Sequence, residues 1–262
     1  APSFQAQPIA LAKEGLANQT EAINAALVNL SRSAAPGCLI AGDLTTLATF
    51  MDSFDAANFD AMVENYRVQI AGLLEGGADL LAAETLMYPL EAEAILTAAE
   101  LEGAETVMYT FTMQSDGSFF SGRDVGPVLR ELEESGAAAV GFNCVAADFM
   151  TPGLVSKLRR YVKGPLVCKP NAGVPVIGVD NLAHYSMEPE EFGKIVKQCH
   201  AMGAAILGGC CGTTPNHIAS LSELVKGYKP HTPTKREKRL ILAGLEPLTV
   251  CKENNFVNVG ER

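Results

Sequence analysis

Six times along this chain a short apolar run gives way to a segment whose apolar residues recur at helical spacing. The runs lie at 38–41, 79–85, 106–113, 137–144, 165–169 and 204–207. The clearest helix between them carries Phe59, Met62, Val63, Tyr66, Ile70 and Leu73 on one face and stops at Gly76-Gly77. Strands that alternate with helices lie parallel in one sheet, because each helix returns the chain to the edge where the next strand starts. Charged residues make up only 19% of the chain, which suits many buried strands. Six strands suffice for an open doubly wound sheet, whereas a closed β/α barrel takes eight. Periodicity leaves the two open.

The other helices carry local punctuation. Asn18-Gln19-Thr20-Glu21 has the spacing of a capping box, with Asn18 as N-cap, and Ile23, Leu27 and Leu30 follow on one face. Pro36-Gly37 ends that helix. Further helices are expected from Pro89 to Gly103, over 125–135, from Thr151 towards Lys163, over 190–202 and over 216–226. Residues 114–123 read as a polar loop and 170–187 as a longer loop rich in proline and glycine. Beyond Tyr228 the pattern stops, and 229–239 reads as a solvated linker rich in proline, lysine and arginine.

Whole classes of function are disfavoured. The net charge is −10 and the pI about 4.9, so there is no basic footprint for nucleic acid. No run of about 18 apolar residues suggests a membrane span, and residues 1–7 lack the regions of a signal peptide. Seven cysteines, an odd number without regular spacing, argue against a secreted disulfide framework and for the reducing cytoplasm.

Two of those cysteines carry the chemistry. In Gly208-Gly209-Cys210-Cys211-Gly212-Thr213-Thr214-Pro215, the run 204–207 ends and a helix begins, with Thr214 as N-cap and Pro215 at the first helical position. Strand ends of this kind form the ligand face of β/α folds. Adjacent cysteines can be small buried hydrophobes. Flanked by glycine and threonine, they read better as soft metal ligands. Cys144, at the end of the run 137–144, supplies a third. Three thiolates leave the fourth position of a zinc ion open, as a catalytic site requires. Cys38, Cys168 and Cys199 read as core residues, His217 as a polar surface or capping group of its helix, and Asp116-Gly117 as a turn.

GGCCGTTPNHI (208–218), together with GFNC (141–144), resembles the homocysteine S-methyltransferases over roughly residues 3–228. That family includes betaine-dependent and cobalamin-dependent enzymes. The resemblance implies a (β/α)8 barrel of the TIM type, with a zinc site of Cys144, Cys210 and Cys211 at the ends of strands six and eight. The Asp-Gly-Gly-Met-Gly-Thr-like strand that opens family members does not occur here, nor does the strand after it. The six runs then correspond to strands three to eight, and the first two β/α units are missing from the chain. Residues 242–248 (LAGLEPL) and 256–262 (FVNVGER) resemble the run into the pterin-binding module of the cobalamin-dependent enzymes. On this reading 1–228 is a homocysteine-binding zinc barrel, and 229–262 is a linker with the start of a pterin-binding module.

The implied reaction is attack by homocysteine sulfur, held as a zinc thiolate, on the methyl group of methylcobalamin, giving methionine. Methylcobalamin would be carried by another module, so cobalamin-binding and pterin-binding modules are the expected partners. Glu84 ends a strand and matches the family position that accepts hydrogen bonds from the substrate ammonium. Backbone N–H groups near Gly208 and Gly209 are candidates for the substrate carboxylate. Asn143 and Asn171 are polar residues at strand ends and complete the substrate-site candidates. The comparable family asparagine suggests that Asn171 stands at or near the open metal position before substrate arrives. Two other readings remain: another donor, such as betaine or S-methylmethionine, and a zinc-binding fragment without turnover.

Overall fold

Each apolar run needs cover on its faces, and the helices supply it. A computed structural model describes residues 1–148, 150–229, 240–242 and 248–250. A short helix, α1 (Pro8–Leu11), and two 3-10 turns lead into α2 (Thr20–Ala34). Four β/α units follow: β1 (Ala41–Thr45) with α3 (Phe59–Glu75), β2 (Leu80–Leu86) with α4 (Pro89–Glu102), β3 (Val107–Phe111) with α5 (Gly126–Glu134), and β4 (Ala139–Ala146) with α6 (Thr151–Leu158). After β5 (Leu166–Asn171) comes a small ribbon of β6 (Val176–Ile177) and β7 (Ala183–His184), then α7 (Pro189–Ala201). The last unit is β8 (Ile206–Leu207) with α8 (Pro215–Leu224). Residues Leu240–Leu242 (β9) and Leu248–Val250 (β10) pair antiparallel with each other.

The main sheet has the order β1-β2-β3-β4-β5-β8, and every pair in it is parallel. Order in space follows order in the chain without reversal. A doubly wound sheet reverses at a switch point, so this winding is the barrel kind. Side-chain contacts show the curvature. Asn143 on β4 bonds to Thr85 on β2, and Lys169 on β5 meets Glu84 on β2. In a flat sheet, strands three places apart would stand about 14 Å from each other. No helix among the described residues is long and apolar enough to cross a membrane.

The outer edge of β1 is covered by side chains. An uncovered edge would be a template for pairing with another chain. Ser3 Oγ donates to the Asp43 carbonyl at 2.9 Å and accepts from the Asp43 N–H at 3.0 Å. The Thr45 carbonyl accepts from the Tyr66 hydroxyl at 3.0 Å and from Gln7 Nε2 at 3.3 Å. A second buried link is Glu91. It accepts from Thr46 Oγ1 at 2.7 Å and from the Leu47, Met87 and Tyr88 N–H groups at 2.8, 3.3 and 3.2 Å. This carboxylate ties the loop after β1 to the start of α4, although burial pushes its pKa up.

At Gly141 the β4 and β5 backbones come close together. A Cβ there would lie 2.1 Å from the Val167 carbonyl oxygen and 2.7 Å from its nitrogen. Neither atom can turn aside as a side-chain tip would. Gly141→Ala is therefore expected to cost at least about 3 kcal/mol, the upper range for overpacking. Equilibrium denaturant unfolding measures this, and an unchanged midpoint would refute the close approach.

Several expectations shift. The first strand is 41–45, not 38–41, because a Gly-Asp pair interrupts its apolar signal; Leu39 is 77% exposed. Cys38 is exposed, not a core residue, whereas Cys168 and Cys199 are fully buried. Asn18 sits in a 3-10 turn and the helix begins at Thr20, so the expected capping box does not form. The loop 170–187 contains the β6–β7 ribbon. Of the linker and pterin-module assignment at 229–262, residues 230–239, 243–247 and 251–262, Cys251 among them, lie outside the described residues.

Candidate metal centre

At the end of β4 the backbone departs from a plain strand. Cys144 has φ 58°, and the β4–β5 register shifts between Asn143 and Ala146. Thr85 on β2 has φ 60°, with a matching shift between Ala83 and Leu86. A β-branched residue with positive φ is strained, and such strain persists only where the surroundings enforce it. Asn143 does so. Its Oδ1 accepts from the Thr85 N–H at 2.8 Å and its Nδ2 donates to Thr85 Oγ1 at 2.7 Å. The same Nδ2 lies 3.6 Å from Cys210 Sγ. The irregularity re-aims the Cys144 side chain towards the second cysteine-bearing strand end, as bulges beside functional sites do.

The loop after β8 is fastened to the end of β5. The Gly208 N–H donates to Cys168 O at 3.1 Å, and the Cys210 N–H to Pro170 O at 2.9 Å. Asn171 Oδ1 accepts from the Cys211 N–H at 3.1 Å, while Cys211 O accepts from the Ala172 N–H at 2.9 Å. Thr213 Oγ1 donates to Cys210 O at 2.7 Å. Gly212 has φ 76°, and a Cβ there would collide with Tyr185. Tyr185 in turn lies beside Cys211. In this arrangement Asn171 orients the Cys211 amide, and the Gly208 N–H is engaged by the sheet.

Three sulfurs converge as a result. Cys144 Sγ is 3.9 Å from Cys211 Sγ, Cys210 Sγ is 4.0 Å from Cys211 Sγ, and all three lie within 4.8 Å of one another. Zinc–sulfur bonds of about 2.3 Å in a tetrahedral site put sulfurs about 3.8 Å apart. The donor set and its spacing therefore suit a zinc ion. Cys144 and Cys210 are half-buried and Cys211 is exposed, so one side of the cluster is open. The nearby Cys144 thiol pulls the Cys210 thiol down to about 6, and Asn143 adds to this. The same contact, with burial, pushes Cys144 up, while burial and the Cys210 charge push Cys211 up. One thiolate forms readily, and three need a cation.

Facing this cluster is a charged group. Glu84 Oε2 pairs with Lys169 Nζ, and their side chains are only 17% and 25% exposed. Asp43 on β1 stands beside Glu84, and burial, with the Glu84 charge, pushes its carboxyl up to about 8. Sequence reading placed Glu84 at a strand end but passed over Asp43, Lys169, Thr85 and Tyr185. A charged residue within a parallel strand was the available signal for the first two; a partner across the sheet leaves no local trace. His217 is 6% exposed, accepts from the Thr214 N–H at 3.2 Å through Nδ1 and reaches Met187 O at 2.9 Å through Nε2. Both ring nitrogens are engaged, in keeping with a capping role.

Comparison with known proteins assigns this architecture to a family. The homocysteine S-methyltransferase family model matches residues 1–225. The crystal structure of the homocysteine methyltransferase MmuM from Escherichia coli, in its oxidised form, superposes with a TM-score of 0.70 at 27% identity, over 85% of this chain and 77% of that one. Its metallated form gives the same values. A methyltransferase from Methanosarcina mazei, 13% identical, shares the fold at a TM-score of 0.51 over 77% of this chain and 63% of that one. The match over residues 1–225, with three thiols gathered at the ends of β4 and β8, places the chain in the homocysteine S-methyltransferase family.

Proposed function

We propose that this chain holds one zinc ion on Cys144, Cys210 and Cys211 and methylates the sulfur of homocysteine to give methionine. The observation that carries this reading is the spacing of the three sulfurs around an open side. Zinc bound there would supply a positive centre that accepts a fourth sulfur as thiolate at neutral pH. The chain's own groups do the rest. Asn143 and Asn171 orient Cys210 and Cys211. Glu84 offers a carboxylate to the substrate ammonium, a charge-assisted bond. Open thiol ligands need a reducing compartment, which favours the cytoplasm.

The donor proposed is methylcobalamin, delivered by a cobalamin-binding module alongside a pterin-binding one. The runs at 242–248 and 256–262 support this. The family match fits equally a second reading, in which a small donor such as betaine or S-methylmethionine serves. Methionine formation by the zinc-loaded chain, offered each donor separately, separates the two. Turnover with methylcobalamin alone is expected; turnover only with a small donor would transfer the assignment.

Zinc uptake should also depend steeply on pH. Cys144 and Cys211 are pushed up, so both lose protons as the metal enters. Affinity is expected to rise on the order of tenfold to a hundredfold per pH unit between pH 6 and 8, since each proton released contributes a factor of ten. Competition with a chelator measures it, and a flat profile would rule out thiol ligation.

A further inference from the structure

Three charged side chains meet on the inner side of the sheet, where parallel strands usually place apolar ones. Asp43 lies on β1, Glu84 on β2 and Lys169 on β5, three strands from β2. The Lys169 stem runs over Gly208, its Cγ 3.2 Å from where a Cβ would stand, and its Nζ rests on Glu84 Oε2. Asp43 stands beside Glu84, and its Oδ1 is buried with no hydrogen-bond partner among the described residues. The carboxylate suited to a substrate ammonium is thus already held by a resident cation. A second carboxyl group, with an unpartnered oxygen, stands beside it.

An incoming ammonium can take Glu84 only if Lys169 yields. A half-buried ammonium without a partner is costly. Asp43 removes that cost, because it lies next to Glu84 and its Oδ1 is unengaged. We propose that Lys169 is a displaceable counter-ion, which holds Glu84 in the empty site and moves to Asp43 when a substrate ammonium binds Glu84. The proposal rests on the homocysteine reading and deepens it: Asp43 and Lys169 make the site selective for thiols that carry a free ammonium. A thiol without one leaves Lys169 in place. When the exchange occurs, Glu84–Lys169 becomes Glu84–substrate and Asp43–Lys169. If Asp43 starts protonated, its proton passes to solvent.

The test is calorimetric binding of three thiols to the zinc-loaded full chain: homocysteine, 3-aminopropane-1-thiol, which lacks the carboxylate, and 4-mercaptobutanoate, which lacks the ammonium. Asp43→Asn is expected to weaken the two ammonium-bearing thiols about tenfold, one lost charged partner, and to leave 4-mercaptobutanoate within about twofold. Lys169→Met removes the competitor, so homocysteine and 3-aminopropane-1-thiol should bind as tightly or tighter. Should Asp43→Asn not fold, Asp43→Ser carries the same expectation. Equal losses for all three thiols in the Asp43 variant would overturn the proposal. So would a Lys169→Met protein that loses the two carboxylate-bearing thiols and keeps 3-aminopropane-1-thiol, since Lys169 would then hold the substrate carboxylate. If the unmodified chain binds none of the three, the homocysteine reading itself falls, and this proposal with it.

Discussion

Replacing Cys144, Cys210 or Cys211 by alanine is expected to strip the chain of zinc while leaving it folded. Each thiol is one of three donors gathered there among the described residues, and the others lie about one sulfur diameter away. Losing a residue that merely supports a ligand costs about 10–100-fold in metal affinity. Losing a ligand outright should exceed a hundredfold, and methyl transfer should fall with it. None of the three cysteines is a core residue, so the metal-free variants should unfold within about 1 kcal/mol of the metal-free parent. With zinc present the parent should melt higher, because the ion binds only the folded state, and the variants should not. Metal content by elemental analysis and unfolding with and without zinc are the measurements. Full occupancy in any single variant would remove that cysteine from the site.

The second large effect is expected at Asn143, which is fully buried. One amide does three things: it accepts from the Thr85 N–H, donates to Thr85 Oγ1 and approaches Cys210 Sγ. Asn143→Ala leaves the half-buried Thr85 N–H and hydroxyl without this partner, at about 1–3 kcal/mol. It also releases the strained Thr85 backbone from its clamp. Zinc affinity should fall about 10–100-fold, the range for an outer partner of a ligand. Stability and metal binding should therefore drop together, whereas the cysteine variants separate them. An Asn143→Ala protein with native stability but weakened zinc binding would show that the Thr85 contacts carry no load.

Much of the site was legible because its signals are local. The doubled cysteine between an apolar run and a Thr-Pro helix start places two thiols at a strand end by chain geometry alone. The run ending at Cys144 does the same for the third. The strand at 41–45 was harder to place, and the reason is functional: it carries Asp43 towards the inner side, so its apolar pattern breaks. The β6–β7 ribbon was missed because two-residue strands leave no periodicity to read.

By itself the sequence determined most of the helices and main-sheet strands, that those strands lie parallel, and which sulfurs stand at their ends. Those properties follow from hydrophobic spacing and turn chemistry within a few residues. Only the tertiary structure decided the uninterrupted strand order, the curvature that brings β2 and β5 side chains together, the left-handed turn at Cys144 and the pairing of Glu84 with Lys169. These depend on contacts between residues 58 to 85 positions apart in the chain. Their energies arise from burial and charge in a shared interior, and no local pattern encodes them.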